Sequence, residues 1–294
     1  MVVADRARWK GYGLALLAAT LWASLSILGK LAYRYQAHPL TVVTLRAALA
    51  FVTLAGLLAV VRPDRLRITR RDLPFLAFYG GLGVGLNYGS YFYALSYTTV
   101  AVAIILLYTY PAIVVLLAAL LGEEPLSRAK GGALALTFGG CFLVAQGYDP
   151  AALRLNLAGI VWGLLGGFGA AMYGLLGKRA LARHATETAL LYALGFGGLT
   201  LALWRGPALI EAVHYPPALW AILLAMAWLP TLVGYGSFLT ALHYVEAGRA
   251  SITATIEPVL ATLLSYLLLG ETLEPLQGVG GLLVLAGVVL IQLR

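Results

Sequence analysis

A carboxylate and a proline stand side by side as Glu257-Pro258 near the middle of the apolar run from Gly248 to Leu269, with Thr253 four residues earlier. A run of that length can cross a bilayer, where charge is costly and a proline leaves the carbonyl four residues before it without its helical partner. Two roles fit an acid there. It stabilises a broken helix locally, or it walls a polar cavity in which it meets a substrate amino group or carries a proton. The same pattern occurs once earlier without the acid, as Tyr108-Thr109-Tyr110-Pro111. A site drawing on both stretches sets tyrosine hydroxyls against threonines and an acid, which suits a zwitterion better than an inorganic ion.

Read as one continuous helix at 100° per residue, the later stretch puts Ser251, Thr255, Thr262 and Ser265 on one stripe and Thr253 with Glu257 opposite. The Ser/Thr stripe is simplest as helix-packing contact, and the Thr253–Glu257 face as a cavity wall. Asn87-Tyr88-Gly89-Ser90-Tyr91-Phe92-Tyr93 is the most polar and aromatic stretch of any predicted span. Asn87 should turn away from lipid, with Tyr88 and Tyr91 on its face, whereas Tyr93 and Tyr97 suit the interfacial aromatic belt. Trp162 and Tyr235 are further candidates for substrate contact. Trp228 joins them because it lies halfway along its span beside Pro230. Pro111 and Pro258 are the candidate hinges. Arg46 either snorkels to the outer interface or pairs with a carboxylate.

The elements that must position these groups follow from hydropathy. Of 294 residues, 61% are hydrophobic and 11% charged, and the mean hydropathy is +0.89, too apolar for a soluble chain of this size. Ten apolar segments can be placed, near residues 11–33, 39–61, 73–94, 98–121, 128–146, 156–179, 187–204, 217–241, 248–269 and 276–293. The expectation is an all-α integral membrane protein whose chemistry sits inside the bundle. Met1 to Lys10 and the apolar stretch after it read as a signal-anchor first helix rather than a cleaved leader. The single cysteine, Cys141, cannot form an internal disulfide.

The net charge of +8 does not point to nucleic acid. With the N-terminus placed in the cytoplasm, 15 of the 20 basic residues fall in inner loops or at inner helix ends, which predicts that both termini are cytoplasmic. Anionic lipid headgroups are the natural partner of those loops. An intramembrane enzyme finds little support: no cysteine lies near a histidine, no His-Glu-x-x-His occurs, and no Asp pair lies in a span. His243 and Glu246, three apart at an interface, are a thin catalytic case. No cofactor and no metal site are expected.

Displacing the chain by 147 residues lays Ala94-Leu95-Ser96-Tyr97 over Ala241-Leu242-His243-Tyr244, Pro111 over Pro258, Glu124 over Glu271 and Gly140 over Gly287. Across residues 94–140, 15 of 47 positions are identical. A displacement of 148 lays Gly29-Lys30 on Gly177-Lys178. The chain therefore divides into residues 1–147 and 148–294, each with five spans. Because five is odd, the second unit enters the membrane from the opposite face, giving an inverted repeat.

These features together resemble a known family. Arg46 early in the second span, Ala-Leu-x-Tyr before the fourth and ninth, a proline midway along each of these, and the closing Leu121-Gly122-Glu123-Glu124 and Leu269-Gly270-Glu271 are similar to the EamA branch of the drug/metabolite transporter superfamily. The resemblance implies a bacterial inner-membrane exporter of small organic solutes. Amino acids are the favoured substrate class, with other metabolites or drugs as the alternative. It also implies alternating access by rocking of the two halves, proton coupling as an open option, and peripheral fifth and tenth spans.

Overall fold

The computed structural model describes residues 2–98, 100–150, 156–269 and 274–293. Arg154, Gly270, Glu271 and Arg294 of the charge and repeat arguments lie outside the described residues. Within them every regular element is helical. Eight helical stretches are long and apolar enough to cross a membrane, and the protein is an integral membrane protein. The predicted third and fifth spans are not among the eight. Residues 73–97, with Asn87, Tyr88 and Ser90 among them, form three helical pieces, a division that 217–241 shares although it is among the eight, and Arg128–Val144 has 17 residues.

Helix α1 covers Val2–Tyr33, starting nine residues before the predicted span, and α2 covers Pro39–Val61. The third stretch consists of α3 (Leu73–Gly80), a π-helical segment (Gly81–Leu86) and α4 (Asn87–Tyr97). The fourth is α5 (Val100–Leu107) and α6 (Tyr110–Leu120), followed by α7 (Arg128–Val144). The second half contains α8 (Leu157–Leu181) and α9 (Thr186–Arg205). Its third stretch is α10 (Pro217–Met226), a π-helical segment (Ala227–Tyr235) and α11 (Gly236–Ala241). Last come α12 (Ala247–Ala254), α13 (Glu257–Leu269) and α14 (Pro275–Leu293).

The irregularities recur at matched positions. A displacement of 147 residues carries the first π-helical segment into the second, and carries the Tyr108-Thr109 break onto the Thr255-Ile256 break. Each break precedes a helix with proline in its first turn, where a missing N–H does no harm. Hydroxyls add second bonds to carbonyls of the last turn before each break, which also accept backbone N–H groups. Thr109 Oγ1 donates to Leu106 O and Thr255 Oγ1 to Ile252 O, both at 2.6 Å. Pro230 removes the N–H that would have bonded Met226 O, and Thr231 Oγ1 donates to that oxygen instead at 2.8 Å. The Thr255-Ile256 break also invalidates the single helical wheel read from the sequence, because a turn re-aims the side chains that follow it.

Elements of the two halves interleave. α4 packs on α8, α2 on α9, and α1 on α11, α12 and α13. The α4–α8 contact is close because Gly169 has no side chain: a Cβ there would lie 2.6 Å from the Asn87 backbone nitrogen. α7 and α14 pack along each other through Gly140 and Gly280. A Cβ on either would stand 2.6–2.7 Å from the other's carbonyl oxygen. The largest core runs through the interior, whereas Leu120, Leu203, Leu267 and Leu282 are among the apolar side chains left exposed on the perimeter, as lipid contact requires.

Candidate functional site

Glu257 is the first residue of α13 and follows the break directly. It keeps some accessible surface although Thr253 and Thr255 beside it are fully buried. The Tyr108 side chain, from the first half, lies close to its carboxylate. Arg46, Tyr88, Tyr91, Tyr110 and Tyr235 also lie within electrostatic range of the acid. The tyrosine face and the acid face expected from the two proline stretches thus meet across the bundle.

Each of these groups is held differently. The Tyr110 hydroxyl donates to Ser251 O at 3.1 Å, tying α6 to α12. Tyr88 and Tyr235 meet edge to face at 5.9 Å, and Tyr235 meets Tyr173 and Trp22 at 4.9 Å each. Tyr173 donates to Tyr235 O at 3.3 Å, anchoring the end of the second π-helical segment. Asn87 is buried at the start of α4 against α8, and Thr253 is fully buried with its hydroxyl unpaired. Outside the break, a crevice of about 260 Å³ opens between Tyr108, Thr109 and Pro111 on one side and Leu134, Thr137 and Phe138 of α7 on the other.

Two tryptophans fall away from this cluster. Trp162 stacks on Tyr93 at 4.9 Å and approaches Trp204 at 6.3 Å, a separate aromatic group toward the other end of α4. Tyr93 packs against both of these tryptophans, and Tyr97 is 49% exposed. Trp228 is 48% exposed beside Leu229 and Val233, with its indole N–H on Thr53 Oγ1 at 3.2 Å. It faces the perimeter.

Two features go beyond what the sequence reading assigned to them. Arg46 is buried in the cluster, with its guanidinium over the Tyr88 ring at 4.3 Å. At the end of the bundle that carries Arg8 and Arg249, Glu124 is 4% exposed and takes Lys130 and Lys178 ammonium groups at 3.1 Å each. It also accepts the backbone N–H groups of Ala247 at 2.6 Å and Gly248 at 3.2 Å, capping α12. Lys130 reaches Glu246 as well, at 2.9 Å, and Glu246 pairs with Arg249 at 3.2 Å. Burial alone favours a protonated Glu124, but Lys178 and Lys130 outweigh it and hold the carboxyl below the usual range. Glu123, the extra acid of the first closing motif, pairs separately with Arg179 at 2.6 Å. The repeat columns Glu124/Glu271 and Lys178/Lys30 were the available signal for this network.

A membrane bundle with broken helices lined by polar and aromatic groups defines a transporter-type architecture. The sequence comparisons make this specific. The model of the EamA-like transporter family matches residues 9–146 and again residues 157–293, and the chain belongs to that family. It is 32% identical to an uncharacterized transporter from Archaeoglobus fulgidus, covering 95% of each chain. Identity to the threonine/homoserine exporter RhtA of Escherichia coli K12 is 30%, covering 80% of this chain and 76% of that one. A probable terminal-alkyne amino-acid exporter of Streptantibioticus cattleyicolor is 29% identical over 84% of this chain and 81% of its own. A solved crystal structure 18% identical shares the fold, with a TM-score of 0.80 and 96% of each chain covered.

Proposed function

We propose that the protein is a secondary exporter of small organic solutes, with amino acids as the substrate class, and not an enzyme. The observation carrying this reading is Glu257 at the α12–α13 break, partly accessible and facing Tyr108 of the other half. An acid suits a substrate ammonium group, and Tyr88, Tyr235 and Trp22 offer faces for an apolar side chain. The names of RhtA and the terminal-alkyne amino-acid exporter support the class.

In this reading the chain forms ten spans as two inverted five-helix units, residues 1–147 and 148–294, in a bacterial inner membrane with both termini cytoplasmic. The matched breaks support the repeat. Pro111 and Pro258 are the hinges, and substrate enters the space between Asn87, Tyr88, Tyr91, Tyr108 and Glu257. Tyr110 and Thr253 sit at the wall between α6 and α12. The Glu124 network then lies at the cytoplasmic end and closes it. Rocking of the halves opens that end as it closes the other, and Glu257 is the group placed to couple protons.

The test is flux of labelled amino acids in proteoliposomes under two opposite pH gradients. Saturable flux that responds to the gradient is expected. Non-saturating conduction would indicate a channel, chemical modification of the solute an enzyme, and flux of other metabolites only the alternative exporter reading.

A further inference from the structure

Arg46 is a buried cation without an anion. It is 4% exposed, two turns into α2, so it does not snorkel to the interface. Among the described residues no carboxylate forms an ion pair with it, and its Nε has no hydrogen-bond partner. The face of the Tyr88 ring, 4.3 Å away, compensates part of the charge but leaves Nε without a partner. A charge in this position is otherwise very costly within a membrane.

The unsatisfied groups around it have one chemistry in common. Arg46 Nε, the Tyr88 hydroxyl and the Trp22 indole N–H are all buried without a hydrogen-bond partner. They belong to one contiguous group, in which Arg46 covers Tyr88, Tyr88 meets Tyr235, and Tyr235 meets Trp22. Arginine and tryptophan can only donate, and a tyrosine hydroxyl donates readily. Two obligate donors, one of them charged, beside a hydroxyl that can also donate suit an acceptor that carries negative charge. A planar guanidinium with two neutral donors matches a carboxylate.

The geometry points to Arg46, with Tyr88 and Trp22, as the subsite that takes a carboxylate of the transported solute. Glu257 lies within electrostatic range of Arg46 but not in ion-pair contact with it. That leaves the acid to face an ammonium group on the same solute, whose two charges in an α-amino acid are separated by one carbon. This deepens the amino-acid reading and rests on it only for the ammonium half.

The experiment measures ligand-induced thermal stabilisation of purified protein in detergent and flux in proteoliposomes, using four probe classes. These are amino acids, their primary amides, the decarboxylated amines, and carboxylates without an amine. Wild-type protein, Arg46→Lys and Arg46→Gln are compared. A preference of at least tenfold for carboxylate-bearing probes over their amides is expected in the wild type. It should shrink in Arg46→Lys and fall to within twofold in Arg46→Gln. A wild type that binds amides or amines as well as acids overturns the subsite, as does a folded Arg46→Gln that keeps the preference. If Arg46→Gln does not fold, the wild-type preference and its change in Arg46→Lys decide. Binding of carboxylates that lack an amine, without binding of amino acids, would refute the amino-acid reading and leave the Arg46 subsite standing.

Discussion

The carboxylate of Glu124, on the loop after α6, holds the ammonium group of Lys178 at the end of α8 at 3.1 Å while capping the first turn of α12. A first-half residue thereby fastens two second-half helices at one end of the bundle. Glu124 and its other partner Lys130 are buried, so removing the acid leaves Lys130 in a buried site with Glu246 alone.

Removing that acid is therefore expected to cost about 3–5 kcal/mol in Glu124→Ala, and somewhat less in Glu124→Gln, which keeps an acceptor. Thermal unfolding in detergent measures it. In the proposed cycle the same variants should raise cytoplasmic labelling of cysteines introduced near Glu257. The pH dependence has a definite sign. The folded carboxyl titrates below its ordinary value of 4.5, so its stabilisation is complete above that pH and is lost as pH falls through the lower folded value. Glu124→Gln should lack this acid-side loss. An identical acid profile in wild type and variant would refute the assignment.

Glu257→Gln retains the size and the acceptor but not the ionisation of the acid at the break. Flux in the variant should lose its dependence on the imposed pH gradient while substrate binding weakens by about tenfold, the scale of one charge-assisted contact. A pH profile that matches the wild type removes Glu257 from proton coupling.

Gly140→Ala places a methyl 2.6 Å from Gly280 O, which forces α7 and α14 apart. Overpacking of this kind costs about 1–3 kcal/mol. The unfolding midpoint should fall accordingly, and the same change at Gly139, where no heavy atom lies within 4 Å of the added carbon, should leave it unaltered.

Trp228→Ala tests the placement of a side chain expected inside and found on the perimeter. Substrate affinity should stay within about twofold of the wild type. Tyr235→Ala, seven residues on and buried in the cluster, should weaken binding at least tenfold. Equal effects of the two would contradict the separation of these side chains.

Hydropathy and period carried most of the architecture because a bilayer admits few solutions: each crossing must bond its own backbone, so length and apolarity nearly suffice to locate helices such as Pro39–Val61. The two proline stretches were legible as well, because proline breaks the helical ladder wherever it stands. The internal displacements of 147 and 148 residues also named the acid–base columns, Glu124 with Glu271 and Lys178 with Lys30.

Direction and partnership were decided by tertiary structure. The Thr255-Ile256 break re-aims the side chains after it and defeated a single wheel drawn at 100°, and Trp228, halfway along its span, is 48% exposed. Arg46 and Glu124 show the same limit from the other side. Sequence gives a charge and its depth along a helix, whereas whether a partner stands within 4 Å depends on helices far away in the chain. Packing gave Glu124 two lysines and left Arg46 with a tyrosine face and no carboxylate among the described residues.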